Sequence, residues 1–271
     1  MSTSKRVLPS TTPDKSTEKT NSEQGPLISA LRVFVRAGLR AAATCLLRVD
    51  AEQIKKIPQE GPLILATNHV NSLDIPVVNG YLGQRRMAVM VKREAWDNPF
   101  LALLFGLYGG IPLNRGETDV PAFRQALAVL RQGAILAIAP EGTRTGDGRL
   151  RRGHPGIAMV ALHSGAPLLP IAIYGFENFT SNLMHLRRTE FHVAVGNSFL
   201  VRTDGVNTPR EARQQISDEI MYQIAALLPE RYRGYYSNLN DATEHYLEFP
   251  PNSESNLKTN HALQRTDQGR V

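Results

Sequence analysis

The sequence predicts an α/β fold, a mostly parallel central sheet flanked by helices, and three observations carry that prediction. Short apolar runs such as residues 63–66 and 134–139 are bounded by turn-forming residues and read as buried strands. Between them lie segments with helical periodicity; in residues 120–131, Phe123, Leu127 and Leu130 fall on one face. Alternation of the two kinds of segment is the pattern that builds a parallel sheet covered by helices. With 271 residues, 42% hydrophobic and 21% charged, the chain is long enough for one sizeable domain with extra segments at its ends.

Residues 1–25 are rich in Ser, Thr, Lys, Glu and Pro and read as a disordered tail. Residues 26–50 change character. Leu27, Ile28, Leu31, Phe34, Val35, Leu39, Leu46 and Leu47 supply an apolar surface, while Arg32, Arg36 and Arg40 recur every four residues along one helical stripe. Three arginines in mid-segment argue against a spanning helix. They fit an amphipathic helix lying on a membrane surface, its arginines at anionic headgroups. A soluble helix packed on the domain, with a solvated arginine face, is the alternative.

The domain proper is expected over residues 51–230. Residues 63–66 form a strand, 74–82 a short helix and 87–91 a second strand. Residues 99–108 form a helix apolar nearly all round, which implies either full burial or contact with lipid or an acyl chain. A short strand at 111–113 and the helix at 120–131 follow, and Gly133 punctuates the entry to strand 134–139. The next helix, 154–163, stops at Gly165, and strand 168–174 is interrupted by Pro170. Strand 191–195 and a longer amphipathic helix, 209–228, complete the domain. Residues 231–271 form a polar C-terminal extension. In it Tyr235, Tyr236, Tyr246 and Phe249 are candidates for packing on the domain, and the last twenty residues read as mobile.

The net charge of +6 favours an anionic partner, whether a phosphorylated substrate, a membrane surface or nucleic acid. The basic residues are spread along the chain and match no RNP-like, helix-turn-helix or zinc-finger pattern, so nucleic acid is not expected. The single cysteine, Cys45, excludes an intramolecular disulfide and a Cys-cluster metal site, and makes no demand for an oxidising compartment. The N-terminus is polar and shows no signal peptide. His154, His163, His185 and His192 have no ligand-like spacing, and no metal is expected.

Candidate chemistry begins immediately after the first domain strand, at Asn68-His69-Val70-Asn71-Ser72-Leu73-Asp74. On one continuous helix, side chains five positions apart would point roughly 140° away from each other. His69 and Asp74 meet only if the histidine lies in the loop leaving the strand and the aspartate in the first turn of the next helix. Asn71 or Ser72 would then be the N-cap, and Pro76 would be early enough to be tolerated. A carboxylate that orients an imidazole makes a general base toward an alcohol or water; the plainer alternative is a capping aspartate beside a loop histidine. Two more strand ends carry arginines, in Gly110-Ile111-Pro112-Leu113-Asn114-Arg115 and in Pro140-Glu141-Gly142-Thr143-Arg144. Open α/β sheets place their sites at such ends, and a guanidinium there grips a phosphate bidentately. Surface ion pairs are the ordinary alternative for each. Arg149, Arg151 and Arg152 add a cationic loop that draws anions in.

Together these stretches resemble the lysophospholipid acyltransferase family, typified by the 1-acylglycerol-3-phosphate acyltransferases. The family's Asn-His, four residues, then Asp is matched at His69 and Asp74; its Gly-x-Ile-Pro-like strand ending in arginine is matched from Gly110 to Arg115. Its Pro-Glu-Gly-Thr-Arg is matched unchanged from Pro140 to Arg144, and its proline-rich apolar strand from Pro167 to Ile171. The four blocks keep their order over residues 61–175, less than half the chain. Lys92 resembles a recurrent lysine of the family, whereas Asn114 stands where many relatives carry a different polar residue.

The resemblance implies transfer of a fatty acyl group from an acyl-CoA or acyl carrier protein thioester to a lysophospholipid hydroxyl. The acceptor it points to first is 1-acylglycerol-3-phosphate, which gives phosphatidate. His69 would be the base and Asp74 its orienting carboxylate, with no acyl-enzyme and no cofactor. Arg115 and Arg144 would bind the acceptor phosphate with Lys92 assisting. Glu141 would orient Arg144 or a substrate hydroxyl, Gly142 and Thr143 belong to the same substrate-binding turn, and backbone amides near Gly142 offer an anion site. The same resemblance implies peripheral or monotopic association with the cytoplasmic face of a membrane. Other acceptors (another lysophospholipid, glycerol 3-phosphate, a lyso-aminolipid), a thioesterase and an inert membrane binder are the rival readings.

Overall fold

The computed structural model describes residues 26–83, 85–114, 119–202, 208–251 and 253–258. The expected N-terminal tail, most of the last twenty residues and Arg115 lie outside the described residues. In chain order the larger elements are α1 (Pro26–Leu46), β1 (Leu47–Val49), α2 (Ala51–Ile54), β2 (Leu63–Thr67), α3 (Asp74–Tyr81) and β3 (Met87–Lys92). Then come α4 (Pro99–Tyr108), β4 (Gly110–Leu113), α5 (Val120–Arg131), β5 (Ile135–Ile138), α6 (Gly156–Ser164) and β6 (Leu168–Tyr174). The last are α7 (Phe179–Met184), β7 (Thr189–Val195), β8 (Leu200–Val201), α8 (Arg210–Leu227) and β9 (Leu247–Glu248).

Seven strands form one sheet in the order β1-β7-β6-β2-β5-β3-β4, and β6, β2, β5, β3 and β4 run parallel. The two outer strands β7 and β1 run the other way, β7 pairing antiparallel with β6. The alternating pattern therefore yields the expected mostly parallel sheet. The strand pair β8–β9, the short helices α2 and α7 and the edge strand β1 are too brief to leave a periodic signal.

The central strands have two dry faces, which is why their sequence reads as continuous apolar runs. On one face Ile64, Ala66, Leu136, Ile138 and Leu168 pack beneath α5, α6 and α8 through Leu130, Ile157, Ala161, Ile220 and Ile224. On the other, Leu63, Leu65, Ile135, Ala137 and Ile171 pack beneath α1 and α3 through Ala43, Val77 and Val78. Pro170 is tolerated inside β6 because it stands opposite Gly196, just past the end of β7. Only its carbonyl is called on there, accepting the Gly196 N–H at 2.9 Å.

This layering fixes where a site can form. The chain leaves β2 through α3 on one face toward β3, and leaves β5 through α6 on the other face toward β6. The C-terminal ends of β2 and β5, which are neighbours, thus flank a topological switch point.

Two expectations are revised. Within the arginine stripe of α1, Arg36 turns to the domain, its guanidinium donating to the carbonyls of Gly83 and Arg85 and to Asn79 Oδ1, while Arg40 is exposed with its guanidinium 5.2 Å from the Tyr81 ring centroid. Phe34, Val33 and Leu31 are exposed instead, Phe34 to 75%. Second, none of the described side chains of α4 is buried; Leu103 is exposed, and Phe105 leans on Trp96 with ring centroids 5.5 Å apart. The C-terminal extension packs on the domain through residues 231–251 and 253–258. Tyr236 is buried against α8, Leu247 sits in β9, and Asn256 and Ser255 bond the buried Gln223 of α8.

Candidate active site

The turn that leaves β2 has no regular structure, so its backbone groups need other partners. Side chains supply them. Asn68 is buried and prolongs β2 by one artificial rung, its amide donating to Ile173 O and accepting from Ile173 N, each at 2.7 Å. Glu141 Oε2 accepts the His69 N–H at 2.8 Å. Asp74 Oδ2 accepts the Val70 and Asn71 N–H groups at 2.7 and 2.8 Å. The His69 carbonyl accepts the Thr145 N–H at 2.9 Å. Three consecutive amides are thereby held by two buried carboxylates, and the histidine backbone has no freedom left to drift.

The same Asp74 oxygen lies 3.1 Å from His69 Nδ1; the aspartate is fully buried and the imidazole is 24% exposed. With Asp74 ionised, Nδ1 carries the hydrogen and Nε2 keeps its lone pair. Asp74 does open α3, as the spacing requires, but neither Asn71 nor Ser72 is its N-cap. That position is Leu73, with no side-chain cap, and Asp74 turns back to bind the loop.

Glu141 behaves differently from its expected role. It is 2% exposed, accepts Arg151 N–H through Oε1 at 2.9 Å, and ties the His69 turn to the loop after β5. Burial pushes its carboxyl up to about 7, against the downward pull of the two backbone donors and the Arg151 charge, and Asp74 nearby adds to the rise. Arg144 is not its partner: that guanidinium donates to Ser72 Oγ at 2.6 Å and stays exposed, on the His69 side of the crevice. Gly142 adopts φ +65°, where a Cβ would come within 3.1 Å of the His154 ring, so the turn requires glycine. Its own N–H is committed to Ala139 O. Thr143 is exposed beside it.

Lys92 ends β3 and pairs with Glu94 at 2.9 Å, with its side chain about half exposed. Asn114, at the end of β4, accepts from Arg93 at 2.9 Å, while Arg115 is outside the described residues. The residues that sequence reasoning missed are Asn68, Ser72 and Thr145, together with the backbone of Arg151. Asn68 alone left a signal, a polar side chain closing an apolar strand. Among the described residues no His, Cys, Asp and Glu cluster could hold a metal ion. A groove of about 720 Å³ runs along α8 past Arg152, Asp218, Tyr222 and Tyr235, but none of the predicted site residues lines it.

A family model described as Acyltransferase matches residues 48–174, which include β2, β5 and both motif loops. A 1-acyl-sn-glycerol-3-phosphate acyltransferase of Borreliella burgdorferi is 27% identical over 55% of this chain and 59% of its own length. A second protein of that description, from Pseudomonas aeruginosa, is 26% identical over 69% of this chain and 73% of its own. A lyso-ornithine lipid O-acyltransferase of the same organism is 32% identical over 55% of each chain. The chain spans from about a third to three fifths of the length of the first three curated relatives it matches. In fold it is similar to the crystal structure of PlsC, the 1-acyl-sn-glycerophosphate acyltransferase of Thermotoga maritima. The TM-score is 0.51 at 23% identity, over 71% of this chain and 77% of that one. The chain thus carries an acyltransferase match over residues 48–174 and resembles the 1-acyl-sn-glycerol-3-phosphate acyltransferases, with the Asn-His turn and the Pro-Glu-Gly-Thr-Arg turn brought together at the switch point of its sheet.

Proposed function

We propose that the protein transfers a fatty acyl group from an acyl thioester, acyl-CoA or acyl carrier protein, to the hydroxyl of a lysophospholipid, with 1-acylglycerol-3-phosphate as the acceptor and phosphatidate as the product. The observation that carries this reading is the His69–Asp74 pair, 3.1 Å apart on a turn pinned by Glu141, with the imidazole partly exposed. Nε2 takes the proton of the acceptor hydroxyl as its oxygen bonds to the thioester carbonyl carbon. Asp74 stabilises the imidazolium that forms. The carbon–sulfur bond then breaks, and the departing thiolate takes the proton back from Nε2, leaving an ester and a free thiol. No side-chain nucleophile and no cofactor enters, and Cys45 lies away from this chemistry on α1.

Arg144 is held beside the His69 turn by Ser72, and in this reading it binds the acceptor phosphate, with Arg115 and Lys92 contributing further cations and Gly142 and Thr143 shaping the turn. The acceptor could instead be a lyso-aminolipid; the match to a lyso-ornithine lipid O-acyltransferase favours that second reading. The chain would work at the cytoplasmic face of a membrane without crossing it. No helix of the described residues is long and apolar enough to span one. The outward face of α1, with Phe34, Val33 and Leu31, and the exposed Leu103 of α4 are the surfaces that would enter the bilayer interface.

A radiolabelled acyl-transfer assay with a panel of lyso acceptors, run against both donor types, tests the assignment. Lysophosphatidate should be the best acceptor, and His69→Ala should abolish turnover without changing the unfolding temperature. Wild-type rates in that variant would remove His69 as the base. Arg144→Ala should raise the acceptor KM; a rise confined to the donor KM would refute the phosphate role. Thiol release at the same rate with and without acceptor would identify a thioesterase.

A further inference from the structure

From the last turn of α7 to the start of β7 the chain projects as Leu183-Met184-His185-Leu186-Arg187-Arg188. Met184 is 79% and Leu186 94% exposed, and Leu183 is exposed beside them. Such side chains usually fold back onto a surface when the loop is slack. This loop is not slack. Arg187 N–H donates to Asn182 O at 2.8 Å, Leu186 N–H to Leu183 O at 3.1 Å, and the Asn182 amide to Thr189 Oγ1 at 3.1 Å. Leu186 is held at φ +53°, a left-handed conformation that a leucine rarely adopts. The backbone thus holds three apolar side chains out in water, and none of the described residues covers them.

Two features say what the projection meets. The first is charge: Arg187 and His185 are exposed beside the apolar tip, and the projection carries no acidic residue. Glu190, just beyond it, is paired with Arg48 at 2.9 Å. The second is position. The Arg188 guanidinium donates to the carbonyls of Thr44 and Leu47, tying the projection to the end of α1. His192 of β7 stands opposite Tyr174, the last residue of β6, so the projection leaves the sheet at the end where His69 lies.

We propose that Leu183, Met184 and Leu186 form a second membrane-inserting element, seated in an anionic bilayer with Arg187 at headgroup level. This rests on the membrane reading above and deepens it. Two insertion points joined through Arg188 would fix the tilt of the domain and keep the acceptor site turned to the lipid, which one helix alone does not do. A bilayer suits a protruding apolar tip rimmed by cations.

The test uses the full chain carrying Cys45→Ala, so that single cysteines can bear an environment-sensitive fluorophore at Met184→Cys, at Phe34→Cys of α1 or at Arg131→Cys of α5. The vesicles are phosphatidylcholine and phosphatidylglycerol with nitroxide-labelled acyl chains. Quenching at positions 184 and 34 but not 131 is expected. Quenching at 34 with none at 184 overturns the inserted tip and leaves the α1 reading standing. Quenching at neither, with no co-sedimentation, overturns both. In the otherwise unaltered chain, the double variant Met184→Asp, Leu186→Asp should lower vesicle partitioning about tenfold or more with unfolding unchanged, and equal partitioning refutes the proposal.

Discussion

Replacing Glu141 by glutamine tests the clamp that holds the candidate base. Glutamine keeps the shape but offers one acceptor where the carboxylate offers two, so one of the His69 and Arg151 N–H groups would face an amide donor. A lost bond plus a stranded buried N–H costs about 2–4 kcal/mol. The effect has a pH signature whose sign can be worked out. The Glu141 carboxyl stands near 4.5 when unfolded and is pushed up to about 7 in the fold. Between those values the folded chain binds the extra proton, so this group's contribution to stability is complete below 4.5 and is lost as pH rises through 7. The upper limit of that loss is about 3 kcal/mol, at 1.36 kcal/mol per unit. Urea unfolding of both proteins, followed by circular dichroism across this window, cancels every other titrating group in the difference. The penalty of Glu141→Gln should be largest near pH 5 and shrink by pH 8, while kcat falls about 10²-fold through loss of the His69 anchor. Parallel stability curves would refute a raised Glu141, and an unchanged kcat would refute the anchor.

Three further perturbations follow from the geometry. Asp74→Asn should lower kcat by roughly 10²–10⁴ by removing the charge that stabilises the imidazolium, and should also lower stability by about 1–3 kcal/mol, because an amide oxygen placed toward Val70, Asn71 and Nδ1 leaves its NH2 buried without an acceptor where Oδ1 now lies. Stability loss with kcat intact would return Asp74 to a purely structural role. Asn68→Ala strands the buried N–H and C=O of Ile173 and should cost about 2–4 kcal/mol in chemical denaturation. At Gly234, φ +48°, an alanine Cβ would fall 2.2 Å from Leu150 O, so Gly234→Ala should pull residues 230–236 off the loop after β5, lower the unfolding midpoint and loosen proteolytic protection around Arg149.

Much of the sheet was legible because strands buried on both faces must be apolar throughout, and β2, β5 and β6 are. The reversed direction of β7 was not legible, since strand direction leaves no mark in a short apolar run. At the site, His69 and Asp74 could be placed from spacing alone, because their partnership is local. The Glu141 bond to the His69 amide joins a side chain to a backbone N–H 72 residues away, and backbone groups have no sequence identity to read. The residue was visible and its partner was not, so the arginine three positions on looked like the natural mate. The structure gives that arginine to Ser72.

The arginines of α1 failed in a different way, and the reason bears on how this protein would meet lipid. Helical period fixes the angle between side chains but not which side faces the domain. The rule that charge points outward presumes water outside. Arg36 instead donates to the carbonyls of Gly83 and Arg85, and Arg40 stacks over Tyr81, all in or just after α3. Those partners let the Arg36 guanidinium face protein without an unpaired charge, and they leave Phe34 and Val33 on the far side. In water that inversion exposes apolar surface for no gain. In a bilayer interface the same inversion lowers the free energy on both sides of the helix, the cations being satisfied by the protein and the apolar side chains by the lipid. On the proposed membrane reading, exchanging Phe34 for aspartate should release the chain from vesicles while leaving the Arg36 contacts and the unfolding temperature unchanged. A variant that kept its vesicle affinity would show that the inversion serves packing alone.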